Sequence, residues 1–141
     1  MVDIELARRL KRAGLVWQPA ERDCFLVPDR GMDDQVFVVN HLTTLIQNYK
    51  GQPTVTFHGT SEWALDDVLL TEVVWLPSET QLREALAQQI GPDAPLRLDR
   101  TAKGYRCQIA DADQMREFNA LRADDAYALA VLALLEEQAA E

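Results

Sequence analysis

The stretch VVWLPSETQLREALAQQIG, residues 73–91, contains the most complete local structural signals in the chain. Its first four residues form an apolar run of strand length that ends at Pro77, and Ser78 can then cap a helix. Gln81 completes a capping box, because its side chain can accept the N–H of Ser78. Apolar residues recur at helical spacing as far as Gly91, a residue that commonly ends helices. The stretch therefore predicts a strand followed directly by a helix.

Similar signals recur on both sides of this stretch. Asp3 precedes an amphipathic pattern that predicts a helix to about Ala13, and the apolar segment 124–138 predicts a last helix. The run QVFVVN, residues 35–40, is apolar enough to predict a central strand covered on both faces. The predicted hairpins join 15–18 to 24–28, 42–49 to 54–58, and 96–100 to 105–110, and 115–121 follows as a further strand.

These elements predict an α+β fold. We expect antiparallel β-hairpins to form one or two small sheets with about three helices packed on them. A chain of 141 residues is expected to be a single compact domain, 1–141, with subdomains 1–72 and 73–141 as the alternative.

The charge of the chain opposes binding to phosphates. With 14 basic and 23 acidic residues the net charge is −9, of which −4 falls in residues 1–77 and −5 in 78–141. We therefore expect a protein partner, which could be basic, and neither nucleic acid nor membrane. The helix–three strands–helix order of the second half is that of a double-stranded-RNA-binding domain. However, Asp124 and Asp125 occupy the helix start where such a domain needs cations.

No residue pattern in the sequence identifies a reaction. The two cysteines, Cys24 and Cys107, lie in apparent strands and are interpreted as small buried side chains. Metal-ligand spacings and phosphate-binding glycine loops are lacking, so neither a cofactor nor a metal site is predicted. The histidines are His41 and His58, and each lies beside a predicted strand. A small hydrolase or transferase that uses one of them with a nearby acid is the alternative prediction.

The tryptophans are the most suggestive binding residues. Trp17, Trp63 and Trp75 each lie close to a proline or a polar turn, where an aromatic side chain can anchor a partner. We single out Trp63 as a candidate protein-binding residue, because acidic neighbours could surround a groove for a basic peptide. These neighbours are Glu62, Asp66 and Asp67.

Four segments of the chain together resemble a family of small bacterial proteins, some of which are labelled pilus-assembly proteins. The segments are GLVWQP (14–19), FLVPDRGMDDQVFVV (25–39), FHGTSEWALDDV (57–68) and VVWLPSETQLREAL (73–86). The resemblance spans about residues 5–90 and continues into the last helix. It implies a stand-alone bacterial cytoplasmic protein. The pilus-assembly label does not extend to an ATPase activity, because the sequence contains no Walker motif.

The sequence as a whole predicts a non-enzymatic, acidic protein-interaction module of the bacterial cytoplasm. The apolar residues of the last helix cover more than half of its circumference, which predicts wide burial and a homodimer through this helix. An immunity- or antitoxin-like inhibitor of a basic partner is a further alternative.

Overall fold

The computed structural model describes residues 1–31, 35–40, 44–57 and 68–141. Within these ranges the chain forms three α-helices and three antiparallel sheets of three strands each, so the predicted α+β class is confirmed. The elements in chain order are α1 (Ile4–Arg12), β1 (Cys24–Leu26), β2 (Phe37–Val38), β3 (Thr44–Tyr49), β4 (Gln52–Phe57), β5 (Val68–Leu69), a 3₁₀ turn (Leu70–Glu72), β6 (Val74–Leu76), α2 (Glu79–Ile90), β7 (Leu96–Thr101), β8 (Gly104–Asp111), β9 (Gln114–Ala120) and α3 (Ala123–Ala139). None of the described helices has the length and apolarity that crossing a membrane requires.

The chain divides into two compact units. The terminal unit consists of Met1–Val16 together with Pro77–Glu141, and the insert unit consists of Trp17–Leu76. Helix α1 thus belongs with the C-terminal part of the chain, although the whole insert unit separates them in sequence.

The terminal unit is built around α3. Helices α1 and α2 and strands β8 and β9 all pack against it, and most of its first three turns are buried. The wide burial predicted for this helix is therefore provided inside the unit. The completely or almost completely buried side chains of the terminal unit include Leu10, Leu82, Leu86, Cys107, Ile109 and Val131. Burial of a large aliphatic side chain stabilises a fold by about 1.5–3 kcal/mol.

The predicted capping box of α2 is present. The Ser78 hydroxyl accepts the N–H of Gln81 at 3.1 Å, and the Gln81 side chain accepts the N–H of Ser78 at 2.9 Å. Gly91 ends the helix with a φ of 94°, a backbone conformation that favours glycine. The strand and helix predicted from the quoted stretch are both confirmed.

The sheet of the terminal unit has the order β7-β8-β9, as the predicted third hairpin and its following strand require. Alternation along β8 directs Cys107 and Ile109 into the core, while Arg106 and Gln108 lie on the opposite face. Gly104 starts β8 where backbones approach closely, because an added Cβ would lie 2.4 Å from the carbonyl oxygen of Ala120.

The insert unit contains two sheets, with the orders β2-β1-β6 and β3-β4-β5. The predicted second hairpin is β3–β4, and its turn is tighter than the predicted Lys50–Pro53. Lys50 and Gly51 both have positive φ, at 51° and 80°, which is the geometry of a two-residue type I′ turn. Pro53 lies inside β4 opposite Asn48.

Two of the strands predicted from the sequence are wrong. Residues 15–18 form no strand, because β1 pairs with β2 on one side and β6 on the other, which leaves no edge for them. The run 35–40 is not a central strand: its strand is the short Phe37–Val38, which lies at the edge of its sheet and pairs with β1. The run is not covered on both faces, since Val36 is 41% exposed and Val38 is 44% exposed, whereas Val39 is only 8% exposed.

Candidate functional site

The residues singled out from the sequence as a protein-binding group lie outside the described residues. This applies to Trp63, Glu62, Asp66 and Asp67, and equally to the two histidines of the enzymatic alternative, His41 and His58. The groove around Trp63 and the catalytic use of either histidine therefore stay predictions.

The structure brings the other two tryptophans together in an aromatic cluster, which consists of Trp17, Phe25, Phe37 and Trp75. Phe25 of β1 stands directly opposite Phe37 of β2 and Trp75 of β6, so the three side chains share one face of the sheet. Trp17, which precedes β1, packs against two of these three rings. Its ring stacks on Trp75 with centroids 6.4 Å apart and planes inclined by 12°, and it tilts against Phe25 at 5.5 Å.

A buried carboxylate fixes the orientation of Trp17. The indole Nε1 donates to Oδ2 of Asp23 at 2.9 Å, and the same oxygen accepts the N–H of Ala20 at 3.0 Å. Asp23 is only 7% exposed. The tryptophan is therefore held by a hydrogen bond to a carboxylate at one edge and by ring contacts on its face.

The rings of the cluster differ in exposure. Phe25 is completely buried, whereas Trp17, Phe37 and Trp75 each remain partly accessible. Within the described part of the chain, the buried Nε1 of Trp75 has no hydrogen-bond partner. A buried donor without an acceptor costs about 1–3 kcal/mol, which offsets part of the stability that the packing of this ring contributes.

The net charge is concentrated in the unit that contains the cluster. The insert unit has nine acidic and three basic residues, a net charge of −6 over 60 residues. The terminal unit has 14 acidic and 11 basic residues, a net charge of −3 over 81 residues. A division of the sequence near its middle conceals this difference, because the four cations of α1 are then counted with the insert unit.

The cations of α1 are partly neutralised within the terminal unit. Arg9 pairs with Glu136 at 3.4 Å and Arg12 pairs with Glu5 at 3.3 Å. Both pairs are solvent-exposed and contribute little to stability. They do reduce the positive field of α1, which favours a solvated helix face over a phosphate-binding one.

The two cysteines differ in environment. Cys107 is completely buried, and desolvation raises the pKa of its thiol to about 11. A thiol with this pKa remains protonated at neutral pH and is a poor nucleophile. Cys24 is partly exposed, and its Sγ lies 3.9 Å from the carbonyl oxygen of Arg22. The predicted burial is thus complete for Cys107 and only partial for Cys24.

The outer face of the β7-β8-β9 sheet contains a charge cluster that the sequence pattern does not predict. Asp99 pairs with Arg97 at 2.9 Å and with Arg106 at 3.3 Å. The hydrogen bond from Arg97 is the largest cause that lowers the pKa of Asp99, and Arg106 adds to it. The alternation of residues along LRLDRT is enough to predict that Arg97 and Asp99 lie on one face of the strand. It does not predict that Arg106 of β8 lies opposite Asp99.

A second group of charges joins the sheet to α3. Arg116 of β9 bonds to Glu137 at 2.7 Å and to Asp111 at 3.0 Å, and its guanidinium lies 5.4 Å from the ring centroid of Phe118. The hydrogen bond with Glu137 is the largest cause that raises the pKa of Arg116. These contacts hold β9 against the end of α3 inside the terminal unit.

Comparison with known proteins found no relative of this chain. A scan against protein-family models found no match, and neither did searches of curated proteins and of solved structures. In the described ranges, no group of three or more His, Cys, Asp or Glu side chains is placed to hold a metal ion. The resemblance to the bacterial family stays a prediction of the sequence.

Proposed function

We propose that this chain is a non-enzymatic protein-interaction module of the bacterial cytoplasm, and that its insert unit binds a basic protein partner. The observation that supports the proposal is the coincidence, in one unit, of a net charge of −6 and a partly exposed aromatic cluster. Aromatic side chains supply contact area for binding, and the negative charge of the unit favours a positively charged partner.

The charge difference between the units is large enough to direct an encounter. Per residue, the insert unit is more than twice as negative as the terminal unit. An unbalanced field of this kind accelerates association with cations and repels nucleic acid and anionic membranes. An immunity- or antitoxin-like inhibitor of a basic partner would be one form of such a module.

A homodimer through α3 is a separate proposal, and less of the helix surface remains for it than the sequence indicates. Neighbours within the terminal unit cover most of the circumference of α3, and Leu129 and Ala133 lie on a stripe that is only partly exposed. Light scattering at micromolar concentration measures the mass of the chain. A dimer mass would support this contact, and a monomer mass would remove it.

The basic partner is tested by binding measurements with capped peptides of opposite charge. We expect an arginine-rich or lysine-rich peptide to bind and a glutamate-rich peptide of equal length not to bind. Raising the salt from about 20 mM to about 300 mM shortens the Debye length from about 20 Å to about 6 Å and should weaken binding about tenfold or more. Binding that does not depend on salt, or that does not distinguish the peptides, would contradict the proposal.

A further inference from the structure

The accessible rings of the aromatic cluster are held in place before any partner arrives. Phe37 and Trp75 are fixed by register on either side of Phe25, and the Phe25–Phe37 centroids are 5.6 Å apart. The bond to Asp23 fixes Trp17. A binding surface whose side chains are already ordered loses less entropy when a partner binds.

The carboxylate of Asp23 also changes what the Trp17 ring attracts. An indole N–H that donates to an anion gains electron density in the ring, because hydrogen-bonded groups polarise one another. Tryptophan already offers the most favourable ring face to a cation. The hydrogen bond therefore increases the attraction of a cation to the accessible part of Trp17, inside a unit with a net charge of −6.

We infer that the aromatic cluster anchors an arginine side chain of the basic partner, stacked on the accessible part of Trp17. This inference rests on the proposed function and names the group that the insert unit recognises. Arginine fits better than lysine, because its planar, weakly hydrated guanidinium stacks on aromatic faces. A nucleic-acid base would also stack, but its phosphates would be repelled by the unit.

The test uses the intact chain and two capped peptides of equal charge, in which glycine alternates with arginine or with lysine. Indole N–H signals in proton–nitrogen correlation spectra report on the tryptophans, and Trp→Phe variants assign them. We expect the Trp17 and Trp75 signals to shift during titration with the arginine peptide. The arginine peptide should bind about three- to thirty-fold more tightly than the lysine peptide.

Variants at Trp17 separate stacking from apolar contact. Trp17→Leu retains an apolar side chain without a π face and should weaken binding of the arginine peptide about three- to thirty-fold. Trp17→Phe retains a π face but loses the hydrogen bond to Asp23, so it should weaken binding less than Trp17→Leu does. Asp23→Asn retains an oxygen acceptor without the negative charge and should also weaken binding. Met115→Ala is the matched control, because Met115 is an apolar side chain of the terminal unit that is 62% exposed.

The possible outcomes distinguish this inference from the proposed function. If both peptides bind equally while the Trp17 and Trp75 signals stay in place, the inference is overturned and the basic partner stands. If neither peptide binds at low salt, the proposed function fails and the inference fails with it. The titration of the unmodified chain tests the arginine inference even if one of the variants does not fold.

Discussion

The main-chain N–H of Asp3 donates a hydrogen bond of 2.7 Å to Oδ1 of Asp125, which joins the start of α1 to the start of α3 across 122 positions of sequence. Oδ2 of the same carboxylate pairs with Arg122 at 3.2 Å. Asp3 in turn caps α1, because its own Oδ2 accepts the N–H of Leu6 at 3.1 Å. Two aspartates therefore connect the beginnings of two helices that pack together.

Asp125→Ala should lower the free energy of unfolding by about 1–3 kcal/mol, because it removes the acceptor of the Asp3 N–H at a site that is nearly buried. Chemical denaturation followed by circular dichroism measures the change. Asp125→Asn is the control, since it retains an oxygen acceptor and should lose less stability. Equal losses in the two variants would show that the hydrogen bond to Asp3 is not the cause.

Ser78→Ala should destabilise α2 by about 1 kcal/mol, because the first turn loses its side-chain acceptor and the capping box is broken. The denaturation midpoint measured at a helix-sensitive wavelength reports the loss. Ser78→Asp replaces one capping side chain by another and should retain most of the stability. An unchanged midpoint in Ser78→Ala would contradict the role of the box.

Gly104→Ala should be more destabilising than Gly91→Ala. Both glycines have positive φ, at 133° and 94°, so each substitution incurs a backbone cost of about 1–3 kcal/mol. Only at Gly104 would the added Cβ also meet backbone, 2.4 Å from the carbonyl oxygen of Ala120. The difference in the free energy of unfolding measures this close approach, and similar losses would show that the hairpin end can shift to relieve it.

Stability should fall in alkaline solution partly because of Cys107. Burial raises the pKa of its thiol from 9.0 to about 11, so the folded chain keeps a proton that the unfolded chain releases. This contribution is complete below about pH 9 and is lost as the pH rises to about 11. Desolvation, with the nearby Cys107 as a second cause, also raises the pKa of Tyr127, which acts in the same direction.

The measurement for Cys107 compares the pH dependence of unfolding in the wild type and in Cys107→Ala. Between about pH 8 and pH 10.5 the variant should lose less stability than the wild type, with a difference on the order of 2 kcal/mol. Comparison of slopes removes the constant cost of the smaller side chain. Parallel curves would show that the thiol is not shielded from water in the folded chain.

The candidate site was predicted from the sequence only in part. Trp17 and Trp75 stand out individually because each lies next to a polar turn, but nothing in the 57 residues between them indicates that their rings stack. The contact depends on the pairing of β1 with β6, which brings Phe25 opposite Trp75. Asp23 was one acid among 23, and only its hydrogen bond to Trp17 distinguishes it.

The sequence by itself determined the elements whose causes lie within a few residues. These are the capping box of Ser78 and Gln81, the cap of α1 at Asp3, and the hairpins β3–β4 and β7–β8. Hydrogen bonds over three positions and tight turns need no distant partner, so their signals are local. The α+β class follows from these elements.

Only the tertiary structure decided which distant segments pair. Two apolar runs, 15–18 and 35–40, lie close to β1 in sequence. β1 nevertheless pairs with the distant Val74–Leu76, and with only two residues of the run 35–40. The assignment of α1 to the terminal unit, and with it the concentration of negative charge in the insert unit, is equally non-local. The physical reason is that burial of an apolar face has no direction along the chain, so the best-fitting partner is selected from all segments at once.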